Sequence, residues 1–262
     1  SDDTSMMLCT AEAIVERFDL AKMGQLFVAW ARQSYWTPHG DVFDIGIATR
    51  QAVGRLAEGC APEDAGGEGE YSNGNGSVMR ILPVALRYWN RPDPAVADLA
   101  ARASRLTHRH ERSQLACAFF CLLVVRLLRG MPLPGALAEA SESFAALYAE
   151  SPEFGHFARL TGGKLAAADR GSIRSSGYVI HTLEAAVWAC LRNGETYSRA
   201  VLAAVNLGDD TDTVGAVAGA LMGAAVGFPE VPEAWRRELA RREDLMEFFG
   251  RFVTACLTSG SV

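Results

Sequence analysis

Aspartates crowd into two short segments of the chain, Ser1-Asp2-Asp3-Thr4 and Gly208-Asp209-Asp210-Thr211-Asp212-Thr213. Carboxylates at that density repel one another unless a cation neutralises them. Carboxylate and hydroxyl oxygens are hard ligands, suited to Mg²⁺, Mn²⁺ or Ca²⁺ rather than to thiolate-loving metals. If the fold joins the two segments, an all-oxygen site with room for two cations results. The alternative is a pair of ordinary helix caps, each of which needs a single Asp or Thr. Three aspartates within four residues, Asp209 to Asp212, exceed that need.

A third segment, Tyr71-Ser72-Asn73-Gly74-Asn75-Gly76-Ser77-Val78-Met79-Arg80, ends where a helix is expected to begin. Gly74 and Gly76 permit positive φ, so successive backbone N–H groups can point the same way and cradle an anion. A plain polar turn with Ser77 as N-cap is the competing reading. No Gly-Lys-Ser/Thr follows, so this is not a nucleotide-binding P-loop. The histidines (His39, His108, His110, His156 and His181) form no zinc-protease pair, and no Gly-x-Ser-x-Gly elbow supports nucleophilic acyl transfer. His108 lies between two expected helices and could face a ligand. His181 sits on an apolar helical pattern and reads as a satisfied core residue.

Helical periodicity must supply the elements that position these groups. The spacing predicts helices near 4–18, 22–34, 43–58, 78–90, 94–105, 112–129, 134–150, 178–192, 197–206, 213–227 and 243–258. Prolines punctuate the gaps, and Gly130 and Gly194 fall at helix ends. No long β-branched alternation exists, so the expectation is a single all-α domain over residues 1–262. Loops are expected at 61–77 and 161–177. Glycines at 215, 219, 223 and 227 put a stripe on the helix after the second acidic segment, which would let another backbone approach.

Composition excludes several function classes. Hydrophobic residues make up 49% and charged residues 21% of the 262, as in a globular protein with a substantial core. With a net charge of −6 and no Lys/Arg-rich run, nucleic acid is not an expected partner. The G-x-x-x-G stripe lies in an apolar run too short to span a bilayer, so no membrane span is expected. The six cysteines form no C-x-x-C and read as small buried hydrophobes in a reducing, cytoplasmic setting. A capping signal at residue 1 suggests that a natural N-terminal segment precedes the sequence.

Five blocks in order carry a resemblance to the ADP-ribosylglycohydrolases, near the bacterial dinitrogenase-reductase-activating type. Ser1-Asp2-Asp3-Thr4 is similar to the family's T-D-D-T, with Ser for Thr, and Phe43-Asp44-Ile45-Gly46 to its F-D-I-G. Ser72 to Arg80 resembles its N-G-S/A-x-M-R loop, while Ser175 to Ala185 and Asn206 to Gly219 resemble two further blocks. The resemblance implies an all-α fold and two Mg²⁺ or Mn²⁺ ions held by Ser1, Asp2, Asp3, Asp210, Asp212 and Thr213. It implies that Ser72, Gly74, Asn75 and Gly76 surround a pyrophosphate or ribose, with His108 and Tyr178 towards the adenosine. Asp44, whose other role would be a helix cap, is implied at the distal ribose; Asp44, Asp3 and Asp210 are the catalytic candidates.

The implied reaction is hydrolysis of the N-glycosidic bond of ADP-ribosyl-arginine on a protein, releasing ADP-ribose. The partners implied are thus an ADP-ribosylated protein and ADP-ribose. The family's glycine-rich N-terminal helix and acidic loop do not precede the first block here. A non-catalytic ADP-ribose binder or crystallin-like structural member is therefore a second hypothesis, and hydrolysis of another ADP-ribose linkage a third.

Overall fold

The structure is a computed structural model and describes residues 1–258. Thirteen α-helices account for most of the described residues: α1 (Asp2–Ala13), α2 (Leu20–Gln33), α3 (Ile47–Ala57), α4 (Leu82–Arg87), α5 (Asp93–Arg105), α6 (Glu111–Leu128), α7 (Leu133–Tyr148), α8 (Ala158–Thr161), α9 (Val179–Asn193), α10 (Tyr197–Val205), α11 (Thr211–Val226), α12 (Glu233–Arg237) and α13 (Arg242–Thr258). No strand occurs among the described residues, only isolated bridges between Gly67 and His108 and between Gly74 and Tyr178. The all-α expectation holds.

The most apolar helix forms the axis. From Leu115 to Leu127 every residue of α6 is buried, as a helix apolar on all faces must be. Around it pack α4, α5, α7, α9 and α11. Phe119 of α6 meets Phe144 of α7 edge-on at 5.3 Å, and Phe157 closes the cluster 4.8 Å from Phe144. The one charge in this stretch, Arg126, is paired with Asp93 of the first turn of α5 and with the Ser143 hydroxyl at 2.6 Å. A buried guanidinium needs such partners.

Local chemistry moves several boundaries away from the periodic reading. The first helix stops at Ala13, although Ile14 beyond it is still fully buried, so the apolar pattern outruns the helix. The third begins at Ile47 because Asp44 takes a left-handed φ of 56° and Gly46 is the extended N-cap. Residues 78–90 divide into a 3₁₀ turn, Val78–Arg80, and α4, with Pro83 in the first turn of α4. Proline has no N–H and clashes with the carbonyl four residues earlier, so one continuous helix cannot pass through it. The 161–177 loop contains 3₁₀ turns at Leu165–Ala167 and Arg170–Ser172, and α12 is an element that periodicity missed.

The glycine stripe of α11 also differs from expectation. A Cβ on Gly215 would meet Val205 at 2.9 Å and one on Gly219 would meet the Tyr197 hydroxyl at 2.9 Å, so side chains of α10 fill the groove rather than a backbone. Gly223 faces open space, and Gly227 lies past the helix end with φ 85°. Gly130 and Gly194 do fall at helix ends as expected. All six cysteines are free, and four of them (Cys9, Cys117, Cys121 and Cys190) are buried.

Candidate functional site

The two acidic segments start α1 and α11, and those helix starts meet. Asp3 and Asp212 feel each other's charge, and the Thr213 hydroxyl supports the charged form of Asp3. Neither segment caps its helix in the ordinary way: Ser1 and Asp210 stand at the N-cap positions with no side-chain capping hydrogen bond. The capping alternative therefore fails for both. Asp44 does not cap α3 either, since Gly46 holds that position.

A cleft of about 600 Å³ opens over this junction. Asp2, Asp44, Asp210, Asp212 and Thr213 line it, together with Gly74, Asn75, Gly76 and His108. Four groups expected in the site do not line the cleft. Ser1 and Asp3 bond to each other instead, the Ser1 hydroxyl donating to Asp3 Oδ2 at 2.7 Å. Ser72 packs against Gly67. Tyr178 accepts a hydrogen bond from Arg112 at 3.2 Å and forms the bridge to Gly74. In the other direction, Asp209, Thr49 and Tyr71 also line the cleft. Asp209 is not among the ligands that the family resemblance implies. Tyr71 stands wholly exposed at the lip, a placement that no spacing rule signals.

The glycine loop is tied to the acidic junction through Asn75. Its amide nitrogen donates to Asp210 Oδ2 at 2.8 Å and to the Thr182 hydroxyl at 2.9 Å. Both amide hydrogens are thereby used, which fixes the rotamer and leaves Oδ1 as the spare acceptor. The Asn75 backbone N–H donates to Gly177 O at 3.0 Å, while Val179 donates to Asn73 O at 3.0 Å. These bonds hold the start of α9 against the loop. Neither Gly74 nor Gly76 takes the positive φ expected of it, and the Asn75 N–H is spent on Gly177, so the loop is not an unbroken run of free N–H groups.

Electrostatics mark the site. Burial, then the charges of Asp3, Asp44 and Asp212, push the Asp2 carboxyl up to about 7. Asp3 is raised too, chiefly by burial, and its Oδ1 is buried with no hydrogen-bond partner. An orphaned carboxylate oxygen beside like charges fits a hard cation, and the donor set is all oxygen. Among the described residues, however, no three His, Cys, Asp or Glu side chains are drawn together in ligating geometry. The fit therefore concerns donor chemistry and not coordination number. His108 is the opposite case. Burial and the nearby Arg80 charge push its imidazole down to about 3, so it is neutral.

The profile of the ADP-ribosylglycohydrolase family matches residues 1–261. The chain is 34% identical over 245 residues to the ADP-ribosylarginine hydrolase Tri1 of Pseudomonas putida (strain GB-1), covering 92% of this chain and 62% of that protein. It is 27% identical over 256 residues to the ADP-ribosyl-[dinitrogen reductase] glycohydrolase of Rhodospirillum rubrum, covering 94% of this chain and 78% of that protein. A solved ADP-ribosylglycohydrolase-related protein complex superposes with a TM-score of 0.80 at 33% identity, covering 98% of this chain and 81% of that one. The chain thus spans less than two thirds of the Pseudomonas relative's length. No described helix is long and apolar enough to cross a membrane.

Proposed function

The chain belongs to the ADP-ribosylglycohydrolase family, and from that premise we propose that it hydrolyses the N-glycosidic bond of ADP-ribosyl-arginine on a protein and releases ADP-ribose. The observation that carries this reading is the meeting of two uncapped acidic helix starts with the glycine loop on one cleft. An acidic wall suits a ribose and a cationic guanidinium. The N–H groups of Gly74 and Gly76, which take no part in the bonds to α9, suit a pyrophosphate. The unpaired thiols are compatible with a reducing compartment such as the cytoplasm.

Asp2, Asp3, Asp210 and Asp212, with the hydroxyls of Ser1 and Thr213, would hold two Mg²⁺ or Mn²⁺ ions. Such ions, when bound, polarise ribose hydroxyl oxygens and lower the pKa of a bound water. The side chains themselves orient and stabilise. Asn75, by donating to Asp210 Oδ2, fixes one carboxylate and turns the rest of Asp210 to the cleft. Hydrogen bonds from Ser1 and Thr213 favour the charged form of Asp3 and oppose the burial that raises its pKa.

In the reaction the ribose C1–N bond breaks, water oxygen adds to C1, and a proton from that water ends on the departing guanidine nitrogen. The transition state carries positive charge on the ribose, which the surrounding carboxylates favour. Asp44 is exposed on the cleft wall in a left-handed conformation and is free of a capping role, so it is our candidate for moving that proton. Asp44→Asn tests the assignment. It should lower kcat at least a hundredfold while ADP-ribose affinity stays within a fewfold. An unchanged kcat would remove Asp44 from the reaction.

A further inference from the structure

Arg80 and Thr107 stand behind the cleft wall and are both fully buried. Arg80 Nη2 donates to the Thr107 hydroxyl oxygen at 2.8 Å and to Ala103 O at 3.0 Å. That hydroxyl oxygen lies 2.9 Å from His108 Nδ1. A guanidinium can only donate, so Thr107 Oγ1 is the acceptor in the first contact. A threonine hydroxyl also carries one hydrogen, which needs an acceptor when buried. Among the described residues the group that can take it is Nδ1. The other arrangement would aim donors from both Arg80 and His108 at one oxygen and leave the Thr107 hydrogen with no acceptor.

We propose that Arg80 and Thr107 are positioning residues that lock His108 in one neutral tautomer. Nδ1 accepts from Thr107, and Nε2–H is turned into the cleft as a fixed donor to an anionic oxygen of a bound nucleoside diphosphate. The ring's placement supports this. His108 lines the cleft, and its Nε2 lies 3.3 Å from the point where a Cβ on Gly74 would stand. A Cβ on Gly76 would come within 2.8 Å of Cε1. The imidazole thus lies against the glycine loop, and no described protein group hydrogen-bonds to Nε2. Burial beside the Arg80 cation keeps the ring uncharged. The N–H groups of Gly74 and Gly76 and this ring N–H would then converge on the same anion, the Asn75 N–H being held by Gly177 O. The ligand class rests on the function proposed above; the tautomer does not.

Histidine-selective ¹⁵N labelling and long-range ¹H–¹⁵N correlation read the tautomer directly in the ligand-free protein, with His108 assigned by its absence in His108→Gln. The expected spectrum has Nε2 protonated and Nδ1 bare. Thr107→Val should mix the tautomers and weaken ADP-ribose binding about tenfold, the size expected for one lost hydrogen bond to a charged group. Thr107→Ser should restore both. An Nδ1–H tautomer in the parent protein overturns the proposal even if Thr107→Val fails to fold. ADP-ribose should also shift the Nε2–H resonance. No shift overturns the donor role, and calorimetry beside it separates two cases. Heat of binding with an unmoved His108 sinks only this inference, whereas no heat sinks the ADP-ribose reading as well.

Discussion

Replacing Asp2 by Asn tests whether the acidic junction is a site kept at a cost to stability. The Asp2 carboxyl is buried, faces the charges of Asp3, Asp44 and Asp212, and is pushed up from 3.8 to about 7. The folded protein therefore holds this proton more tightly than the unfolded chain does. Its contribution favours folding at low pH and is lost as pH rises from about 4 through about 7. Each pKa unit is worth about 1.4 kcal/mol, so full ionisation costs about 4 kcal/mol. Roughly 2.5 kcal/mol of that is lost between about pH 5 and about pH 8. Asparagine keeps the shape and does not titrate. In EDTA, the Tm advantage of Asp2→Asn over the parent should grow by roughly 5–10 °C across that range. Saturating Mg²⁺ should reverse the order by stabilising the parent alone. A gap that does not change with pH, or an asparagine variant less stable at about pH 8 in EDTA, would refute the reasoning.

Further predictions follow from the same geometry. Asp210→Ala with Asp212→Ala should abolish metal-dependent ADP-ribose binding in calorimetry while the far-UV circular dichroism stays helical. Gly76→Ala would bring a Cβ to 2.8 Å from His108 Cε1 and 3.0 Å from Thr49 Oγ1. It should weaken ADP-ribose at least tenfold, with a stability loss of about 1–3 kcal/mol by denaturant titration. His108 is held down at about 3 against an ordinary 6.5. Its stabilising contribution is complete above pH 6.5 and is lost as pH falls towards 3, by roughly 2 kcal/mol at about pH 5. His108→Gln should flatten that acid limb of a Tm–pH curve.

The helices were legible because apolar spacing follows burial, as in α6, whose buried residues include every position from Leu115 to Leu127. Helix ends were harder to read. A left-handed Asp44 and a proline in the first turn of α4 act on backbone torsion, which side-chain periodicity does not record. The acidic segments were legible because carboxylate density exceeds what capping needs, and their meeting required the resemblance or the structure. Arg80 closed the N-G-S/A-x-M-R block and Thr107 adjoined His108, but nothing in the sequence signalled their contact, which arises from packing between α5 and the turn before α4. Tyr178 lay within a recognisable block, yet the hydrogen bond between its hydroxyl and Arg112 joins residues far apart in sequence. The glycine stripe was visible, but what fills it, Val205 and Tyr197, was not.

The most direct test incubates an arginine-ADP-ribosylated protein with this chain and measures released ADP-ribose, with Mg²⁺, with Mn²⁺ and with EDTA. The account predicts release with either metal ion, none in EDTA, and none from the Asp210→Ala, Asp212→Ala variant. Tight ADP-ribose binding without release under any condition would contradict the hydrolase reading and leave a binding module in its place.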